Sequence, residues 1–411
     1  MSNLNETPRS NRLHIALFGK TNAGKSSIIN ALTGQNIALV SDIKGTTTDP
    51  VYKSMEILPI GPVVLIDTAG LNDETELGEL RKKKTMDVLN KTDIALVIID
   101  SSIGISDFDI KTIEEIKSKK IPIVVILNKS DISTIDISSI KNLENKFKLK
   151  IIKASAYNNT GIDHIKDEII KLIPENEEKF RILGDLISPG DFVILVTPID
   201  KAAPKGRLIL PQQQVIRDVL ESDAISIVTK EYELRETLEN LNKKPRLVIT
   251  DSQAFLKVSA DTPKDILMTS FSILFARNKG NLTELVKGAK AINNLKDGDK
   301  VLISEACTHH RQSDDIGKVK IPRWLRQSTG KDLIFECSSG FSFPENLKDY
   351  ALVVHCAGCM LNRKAMLHRI SNSVKDGVPI VNYGVLIAYV HGILKRALKP
   401  FPAAQIAFEE E

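Results

Sequence analysis

Residues 13–26 read LHIALFGKTNAGKS, a mostly apolar run of six residues followed by a glycine-rich loop that ends in Gly24, Lys25 and Ser26. The apolar run predicts a buried strand, and residues 26–32 predict a helix. A strand, a GxxxxGKS loop and a helix in this order are typical of a P-loop, whose backbone N–H groups surround phosphate oxygens. We therefore predict an α/β nucleotide-binding domain with a doubly wound sheet, in which Lys25 reaches the β- and γ-phosphates and Ser26 holds Mg²⁺.

Further contacts to the metal and the phosphates are predicted at two later positions. A polar loop at 45–48 reads GTTT, and its Thr47 can complete the Mg²⁺ shell. An apolar run at 63–66 predicts a strand that ends at Asp67, and the chain then continues through Thr-Ala to Gly70. Asp67 suits a second contact to the metal, and the N–H of Gly70 suits the γ-phosphate.

Two later motifs indicate that the base is guanine. The apolar run at 121–127 predicts a strand that ends in NKSD at 128–131, where the carboxylate of Asp131 can accept hydrogen bonds from N1 and the 2-amino group of guanine. The next strand ends in Ser155 and Ala156, which would form one side of the base pocket. All these motifs follow predicted parallel strands, whose carboxyl ends meet at one edge of a sheet. The predicted nucleotide contacts are Gly19, Asn22, Ala23, Gly24, Lys25, Ser26, Ser27, Thr46, Thr47, Asp67, Gly70, Asn128, Lys129, Asp131, Ser155 and Ala156, with Lys25, Thr47 and Gly70 as the catalytic residues.

The bulk composition excludes several classes of protein. Hydrophobic residues make up 42% of the chain and charged residues 26%, which is typical of a soluble globular protein. The net charge of +4 is spread along the sequence, so we expect no nucleic-acid partner. The polar N-terminus predicts no signal peptide, and without an apolar run of about 18 residues we expect no membrane span. Four cysteines do not form a disulfide framework, so we expect a cytoplasmic protein in which they serve metal or redox chemistry.

The length of 411 residues predicts two or three domains. We expect the nucleotide-binding domain at 1–173, a small α/β association domain at 180–260, and a third domain at 261–411. In the third domain, a helix at 262–276 is expected to precede strands that alternate with helices, which indicates a parallel sheet.

A cluster of cysteines and histidines distinguishes the third domain. Cys307 and His309 are separated by 45 residues from His355, Cys356 and Cys359. Each group follows a predicted strand of the parallel sheet, so the two groups are expected at the same edge.

The residue types alone leave four interpretations of this cluster. Cys307, His309, Cys356 and Cys359 would form a closed Cys₃His zinc site. The three thiolates would instead hold an iron–sulfur cluster with one iron open or weakly ligated. A CxxC redox pair would leave Cys307 and the histidines without a role, and three buried, inert cysteines are the fourth interpretation. Cys337 ends another predicted strand and is expected to belong to the core.

Residues 11–173 resemble the small GTPase fold, specifically the TrmE-Era class. Asn22 lies in the GxxNxGKS pattern of the members that bind K⁺, so the resemblance implies that it helps to place K⁺ beside the phosphates. Ras-like proteins carry a glutamine just after DxxG to orient water, but this chain carries Leu71. We therefore expect slow basal hydrolysis of GTP that K⁺, dimerisation or a partner accelerates.

The pattern CxH, about 45 residues, HCxxC resembles the signature of the HydF family, the GTPases and scaffolds of iron-iron hydrogenase maturation, and the resemblance covers the whole chain. It implies a dimerising middle domain and a 4Fe–4S cluster on Cys307, Cys356 and Cys359. It also implies transient carriage of a diiron precursor, built by two radical SAM maturases and passed to the apo iron-iron hydrogenase.

Three protein ligands would leave one iron of such a cluster free to exchange its fourth ligand. The candidates for this position are His309, His355 and Glu305, and each histidine has an alternative role as a hydrogen-bond partner that orients a thiolate. The alternative function is a regulatory GTPase with a structural Cys₃His zinc site, such as a factor linked to the ribosome or to tRNA.

Overall fold

A computed structural model describes most of the chain as two compact units, Met1–Glu177 and Glu178–Glu411. The described residues are 7–34, 50–68, 78–132, 137–173, 181–199, 208–306, 315–340, 343–344 and 346–410. Within these ranges, no helix combines the length and the apolar character that a membrane crossing requires.

The first unit contains a six-stranded sheet in the order β2-β3-β1-β4-β5-β6. Every neighbouring pair is parallel except β2 and β3. The strands are β1 Leu13–Phe18, β2 Val51–Ile57, β3 Gly61–Asp67, β4 Ile94–Asp100, β5 Ile123–Asn128 and β6 Ile151–Lys153. The helices are α1 Lys25–Thr33, α2 Gly78–Leu89, α3 Asp107–Ser118, α4 Ile137–Phe147 and α5 Ile162–Leu172.

Strand β1 explains why helices cover both faces of this sheet. Successive side chains of a strand point to opposite faces, and five of the six residues of β1 are buried. Ile15 and Leu17 pack with α1 and α5, whereas Ala16 and Phe18 pack with α3 and α4 in a separate cluster. A strand that is buried on both faces needs a helical layer on each side. The predicted doubly wound α/β fold is confirmed.

The second unit contains two four-stranded sheets in which every neighbouring pair is parallel, in the orders β10-β9-β7-β8 and β12-β11-β13-β14. The strands are β7 Phe192–Val196, β8 Ile225–Thr229, β9 Leu247–Thr250, β10 Leu267–Ser270, β11 Lys300–Glu305, β12 Ile334–Ser339, β13 Leu352–His355 and β14 Ile380–Asn382. The helices are α6 Leu210–Glu221, α7 Leu234–Asn240, α8 Phe255–Asp261, α9 Phe271–Lys279, α10 Leu282–Lys290, α11 Ile321–Thr329, α12 Arg363–Lys375, α13 Tyr383–Val390, α14 Leu394–Ala397 and α15 Pro402–Glu409. A π-helical turn at Ile316–Lys320 precedes α11.

The two sheets of the second unit have the same topology. In each sheet the second strand of the chain lies on one side of the first, and the third and fourth strands lie on the other side. The direction in which strands are added therefore reverses between β7 and β9, and again between β11 and β13. Such a reversal leaves a crevice at the carboxyl ends of the two central strands, where ligands bind in open α/β sheets. One buried apolar cluster spans both sheets.

Two predictions about the second unit are wrong. The expected helix at 262–276 is interrupted, because Leu267–Ser270 forms β10 beside β9 and the side chain of Ser270 accepts a hydrogen bond from the N–H of Ile273 to begin α9. A segment of four residues is too short to distinguish the helical from the strand periodicity, so pairing with β9 decides its structure. Cys337 does not belong to the core: it lies within β12, in register with Ile303, and is exposed because β12 is an edge strand.

The packing of α10 on β14 predicts a large effect of a small substitution. A Cβ atom at Gly288 would lie 1.9 Å from the carbonyl oxygen of Ile380. Since a close-packed contact of this kind relaxes only by backbone movement, we expect Gly288→Ala to lower the free energy of unfolding of the second unit by about 1–3 kcal/mol. Denaturant unfolding of the full chain measures this difference. Lys287→Ala in the same helix, at an exposed side chain, is the matched control with an expected change below about 0.5 kcal/mol. Equal stability of the two variants would contradict this packing.

Candidate nucleotide site and candidate metal centre

The P-loop folds around the side chain of Lys25. The Lys25 Nζ donates to the carbonyl oxygens of Gly19 at 2.9 Å and Lys20 at 3.0 Å, and the residue is 8% exposed. Gly19 has φ +146°, and a Cβ there would lie 2.2 Å from the carbonyl oxygen of Ile98 in β4. Only glycine fits this approach of the loop to the sheet. The loop thus holds the ammonium at the N-terminus of α1, where a phosphate would bind.

Asp67 lies beside Lys25 and Ser26 at the end of β3. The Ser26 hydroxyl donates to Asp67 Oδ2 at 3.4 Å, and Asp67 Oδ1 is buried with no hydrogen-bond partner among the described residues. Burial raises the pKa of Asp67, while Lys25 and Ser26 act in the opposite direction. Burial also lowers the pKa of Lys25, against the effect of Asp67. A hydroxyl beside a carboxylate with an unsatisfied oxygen fits Mg²⁺, which prefers hard oxygen ligands.

Asn128 joins the phosphate loop to the loop after β6. Its Nδ2 donates to the carbonyl oxygen of Ala23 at 3.0 Å, and its Oδ1 accepts from the N–H of Ala156 at 3.1 Å. The side chain is 2% exposed. A Cβ at Gly24 would lie 2.2 Å from Asn128 Nδ2, so the P-loop glycine leaves room for this connection. Both hydrogen-bonding groups of the amide are therefore committed to positioning two loops.

Lys129 forms an ion pair just after β5, whereas Asp131 is exposed. The Lys129 Nζ forms an ion pair with Asp100 Oδ2 at 2.6 Å. Burial opposes the ionisation of Asp100, but hydrogen bonds from Lys129 and Ser102 outweigh it and lower the pKa of this carboxyl group. The sequence analysis did not identify Asp100, although it ends a buried strand as Asp67 does. Asp131 is exposed, whereas Ser155 is fully buried and its hydroxyl accepts from the N–H of Asn158.

The structure locates the remaining predicted residues only in part. Asn22 has φ +64° and is exposed, and Ser27 is exposed in the first turn of α1. Five predicted site residues lie outside the described part of the chain, namely Thr46, Thr47, Gly70, Cys307 and His309. The Leu71 position that suggests slow hydrolysis also lies outside it.

Cys356 directly follows β13 in the sheet β12-β11-β13-β14. In this sheet the direction in which strands are added reverses between β11 and β13. Its N–H donates to the carbonyl oxygen of Ser304 at 3.0 Å, which extends the pairing of β11 and β13 by one residue. Its Sγ accepts from the N–H of Ala306 at 3.1 Å and of Gly358 at 3.4 Å. Backbone N–H groups directed at a sulfur are a common feature around thiolate ligands of iron–sulfur clusters.

The surroundings of Cys356 keep its thiol protonated in the absence of a metal. Burial raises the pKa of this thiol to about 11, the two N–H groups act in the opposite direction, and Cys359 and Glu305 raise it further. A bound metal would have to displace the proton, so its affinity would increase with pH. Among the described residues, which exclude Cys307 and His309, no group of three His, Cys, Asp or Glu side chains forms a metal site.

Glu305 lies at the end of β11 and is held by the residues around it. Its Oε1 accepts a hydrogen bond from the Tyr383 hydroxyl at 3.3 Å. A Cβ at Gly317 would lie 2.6 Å from the same oxygen and 2.4 Å from the Tyr383 hydroxyl. Burial raises the pKa of Tyr383 well above its ordinary value, and Cys356 and Glu305 raise it further. Because Ser304 pairs with His355 in parallel register, Glu305 also lies next to Cys356 at the ends of β11 and β13.

His355 is 1% exposed, and hydrogen bonds occupy both of its ring nitrogens. Its Nδ1–H donates to the carbonyl oxygen of Cys356 at 2.7 Å, and its Nε2 accepts from the Arg369 guanidinium at 2.9 Å. Burial and the charge of Arg369 lower the pKa of His355 to about 3, so the ring is neutral. Arg369 also donates to Ser304 Oγ at 3.3 Å and to the carbonyl oxygen of Gly340 at 3.0 Å. A metal at either nitrogen of His355 would have to replace one of these bonds.

A buried lysine lies beneath the CxxC segment. Lys279 is 3% exposed, and its Nζ donates to the carbonyl oxygens of Cys359 at 3.1 Å and Leu361 at 3.0 Å, with that of Gly358 at 3.5 Å. Burial lowers the pKa of Lys279 to about 8, while Cys359 and Cys356 act in the opposite direction. The sequence analysis identified neither Lys279 nor Arg369. Arg369 follows Ala365 and Met366 on the buried side of α12 at helical spacing, a position where a charged residue is a detectable signal.

Comparison with known proteins identifies relatives of each part of the chain. Residues 14–129 match the model of the 50S ribosome-binding GTPase family. Residues 182–280 match the hydrogen maturase F dimerization domain and residues 283–400 its tetramerization domain, which together make up more than half of the chain.

The curated relatives are GTPases that align with less than half of this chain. The tRNA modification GTPase MnmE of Endomicrobium trichonymphae is 34% identical over 46% of this chain and 41% of its own length, and that of Aquifex aeolicus is 37% identical over 40% and 35%. GTPase Der of Wolinella succinogenes is 34% identical over 39% and 36%. The chain thus spans less than half the length of these relatives.

Two solved structures are also similar to part of this chain. A variant of Aquifex aeolicus Era bound to GDP and aluminium fluoride is 18% identical and covers 61% of this chain and 99% of its own, with a TM-score of 0.35. A probable GTP-binding protein engB is 22% identical and covers 39% of this chain and 98% of its own, with a TM-score of 0.33.

The N-terminal GTPase domain is of the same TrmE-like type as the curated relatives, and both maturase domains follow it in order. The chain therefore belongs to the hydrogen maturase F family.

Proposed function

We propose that this protein is a GTP-hydrolysing scaffold that binds a 4Fe–4S cluster and a diiron precursor and delivers the precursor to apo iron-iron hydrogenase. The observation that carries the proposal is the Cys356–Cys359 segment. It lies at the reversal point of a parallel sheet, with two backbone N–H groups directed at Cys356 Sγ, in a chain that also carries a GTPase domain. A soft metal site and a guanine-nucleotide site in one chain are what a nucleotide-dependent metal carrier requires.

The nucleotide half of the proposal depends on groups that the first unit already positions. Lys25 is held at the N-terminus of α1, where it can neutralise the charge that develops between the β- and γ-phosphates. Ser26 and Asp67 supply oxygen ligands for Mg²⁺. Asp131 is exposed at the end of β5, where its carboxylate can accept both hydrogen bonds of guanine. We further propose that Asn22 helps to bind K⁺, and that basal hydrolysis is slow because Leu71 cannot orient water.

The proposed metal site uses cysteines inside and outside the described part of the chain. Cys356 and Cys359 would supply two thiolates, and Cys307, in the segment that follows β11, would supply the third. A cluster held by three thiolates keeps one iron open for an exchangeable ligand or for the diiron cargo. We favour Glu305 as that ligand, since β11 ends next to Cys356 and an oxygen is a weak ligand in a soft site. His309 and His355 remain candidates, although His355 would have to give up a hydrogen bond.

The partners and the location follow from the same proposal. Radical SAM maturases would supply the diiron cargo, and the apo-hydrogenase would receive it. The dimerization and tetramerization domains of the family indicate an oligomer, and we propose a homodimer as its basic unit. Cysteine ligands must stay reduced to bind a metal, which fits the reducing cytoplasm.

The role of Asp131 is tested by changing the nucleotide it recognises. Asp131→Asn removes an acceptor from guanine and adds a donor that fits the 2-oxo group of xanthine. We expect kcat/KM for GTP to fall at least about tenfold and kcat/KM for xanthosine triphosphate to rise. Asp163→Asn, at a fully exposed carboxylate in the first turn of α5, is the control and should leave both values unchanged. Unaltered GTP kinetics in Asp131→Asn would remove this residue from base recognition.

Two reciprocal variants test whether the chain has two separate chemistries. After anaerobic reconstitution with iron and sulfide, we expect the wild type to show a broad visible absorption and, once reduced, an EPR signal. The Cys307/Cys356/Cys359→Ala variant should lose both signals and keep GTP hydrolysis. Lys25→Ala should lose GTP hydrolysis and keep its iron, since Lys25 belongs to a different unit from Cys356 and Cys359.

The same reconstitution distinguishes the scaffold from a zinc-containing regulator. Stoichiometric zinc in a colourless, air-stable wild-type protein would refute the scaffold and favour a regulatory GTPase with a structural zinc site. Loss of iron from Lys25→Ala would refute the separation of the two sites.

A further inference from the structure

Lys279 ends helix α9 and reaches the CxxC segment from 80 positions earlier in the chain. Its Nζ donates to the carbonyl oxygens of Cys359 and Leu361, and that of Gly358 lies 3.5 Å away. A second hydrogen bond joins α9 to the start of α12, because the Arg363 guanidinium donates to the carbonyl oxygen of Asn278. The C-terminus of α9 is therefore attached to the segment that carries both cysteines.

The carbonyl groups that Lys279 contacts belong to one tight turn. The N–H of Leu361 donates to the carbonyl oxygen of Gly358 at 2.9 Å, which closes the turn at 358–361 around Cys359. Gly358 has φ +65°, and a Cβ there would lie 2.2 Å from the Met366 Cε atom. The turn is thus restricted by its backbone conformation, by its packing on α12 and by the ammonium of Lys279.

The opposite side of the same segment faces a sulfur atom. The N–H of Gly358 donates to Cys356 Sγ, while the carbonyl oxygens of Cys359 and Leu361 point to Lys279. The segment therefore lies between a cation and a potential thiolate ligand. Burying an ammonium group is unfavourable unless carbonyl dipoles or negative charges surround it, and bound thiolates would bring such charges.

We propose that Lys279 is the positioning residue of the metal centre: it fixes the turn at 358–361 so that Cys359 can bind, and its positive charge stabilises the anionic metal–thiolate centre. This inference rests on the proposed metal site. Three thiolates make such a centre negative, and reduction adds another electron, so a fixed cation nearby raises the reduction potential. Residues that support ligands in this way commonly change metal affinity by about 10–100-fold when they are replaced.

Three substitutions separate the charge of Lys279 from its hydrogen bonds. Lys279→Gln keeps N–H donors and removes the charge, Lys279→Met removes both, and Lys279→Arg keeps both in a different geometry. Lys287→Met, at a half-exposed lysine of α10, makes the same change in net charge away from the turn and is the matched control.

The first measurement is a titration of the full-length apo-protein with Co²⁺ alone, followed through the thiolate-to-cobalt absorption. We expect Lys279→Met to weaken Co²⁺ binding by about 10–100-fold, and Lys279→Gln to weaken it less. Lys287→Met should bind Co²⁺ as the wild type does. Thermal unfolding of each variant establishes that it is folded, and if Lys279→Met does not fold, Lys279→Gln and Lys279→Arg carry the comparison.

The second measurement is the midpoint potential of the reconstituted cluster, which a purely structural role of Lys279 would not shift. We expect a more negative potential in Lys279→Gln and Lys279→Met, and a potential near that of the wild type in Lys279→Arg. A wild-type potential and wild-type Co²⁺ affinity in a folded Lys279→Gln variant would overturn this inference.

Failure of the proposed function has a different signature in the same experiments. A wild-type protein that takes up no iron and sulfide would refute the cluster, while the Co²⁺ titration would still test Lys279. Weaker Co²⁺ binding in Lys279→Met would then support its positioning role at a site for another metal.

Discussion

The parallel direction of the strands determines where this protein can carry chemistry. In the first unit β1 lies between β3 and β4, and in the second unit β11 lies between β12 and β13, so in each the sheet grows to both sides of an early strand. Loops that leave neighbouring parallel strands in opposite directions open a crevice at their carboxyl ends. The P-loop follows β1, and Cys356 follows β13 beside Glu305 of β11. Two different sites thus arise from one constraint of the fold.

Buried cations hold the loops at both sites. Lys25 donates to two carbonyl oxygens of the P-loop, Lys279 to those of the turn at 358–361, and Arg369 to the carbonyl oxygen of Gly340 and to His355. A cation that binds carbonyl groups holds a loop in a conformation that backbone propensity alone would not select. It also leaves positive charge close to a position that would receive phosphates or thiolates.

The residues that the sequence predicted and those that it did not differ in one physical respect. Asp67, Asn128 and Cys356 end or directly follow strands that are revealed by their apolar runs. Local pattern and parallel topology therefore suffice to place each of them at the carboxyl edge of its own sheet. Lys279 and Arg369 act on groups far along the chain or across a helix–sheet contact, and a single buried charge in a helix does not reveal its partner. The strand β10 was predicted as helix for the related reason that four residues show no clear period. Local signals were therefore sufficient for most strands and for the motifs that follow them, whereas tertiary contacts determine β10 and the supporting residues.

The core of the second unit contains buried charged and polar side chains around the CxxC segment. Replacing buried charged groups together by apolar side chains of similar volume is often neutral or stabilising, so the burial of Lys279, Arg369 and the neutral His355 is weak evidence for a role in stability. Each of them contacts the backbone or a side chain of the segment 355–361. These polar groups are unfavourable to bury, and all of them contact one short segment. The conformation that this segment must keep explains their presence better than a contribution to folding does. Because that segment carries Cys356 and Cys359, the cost of burial is concentrated where a metal would recover it.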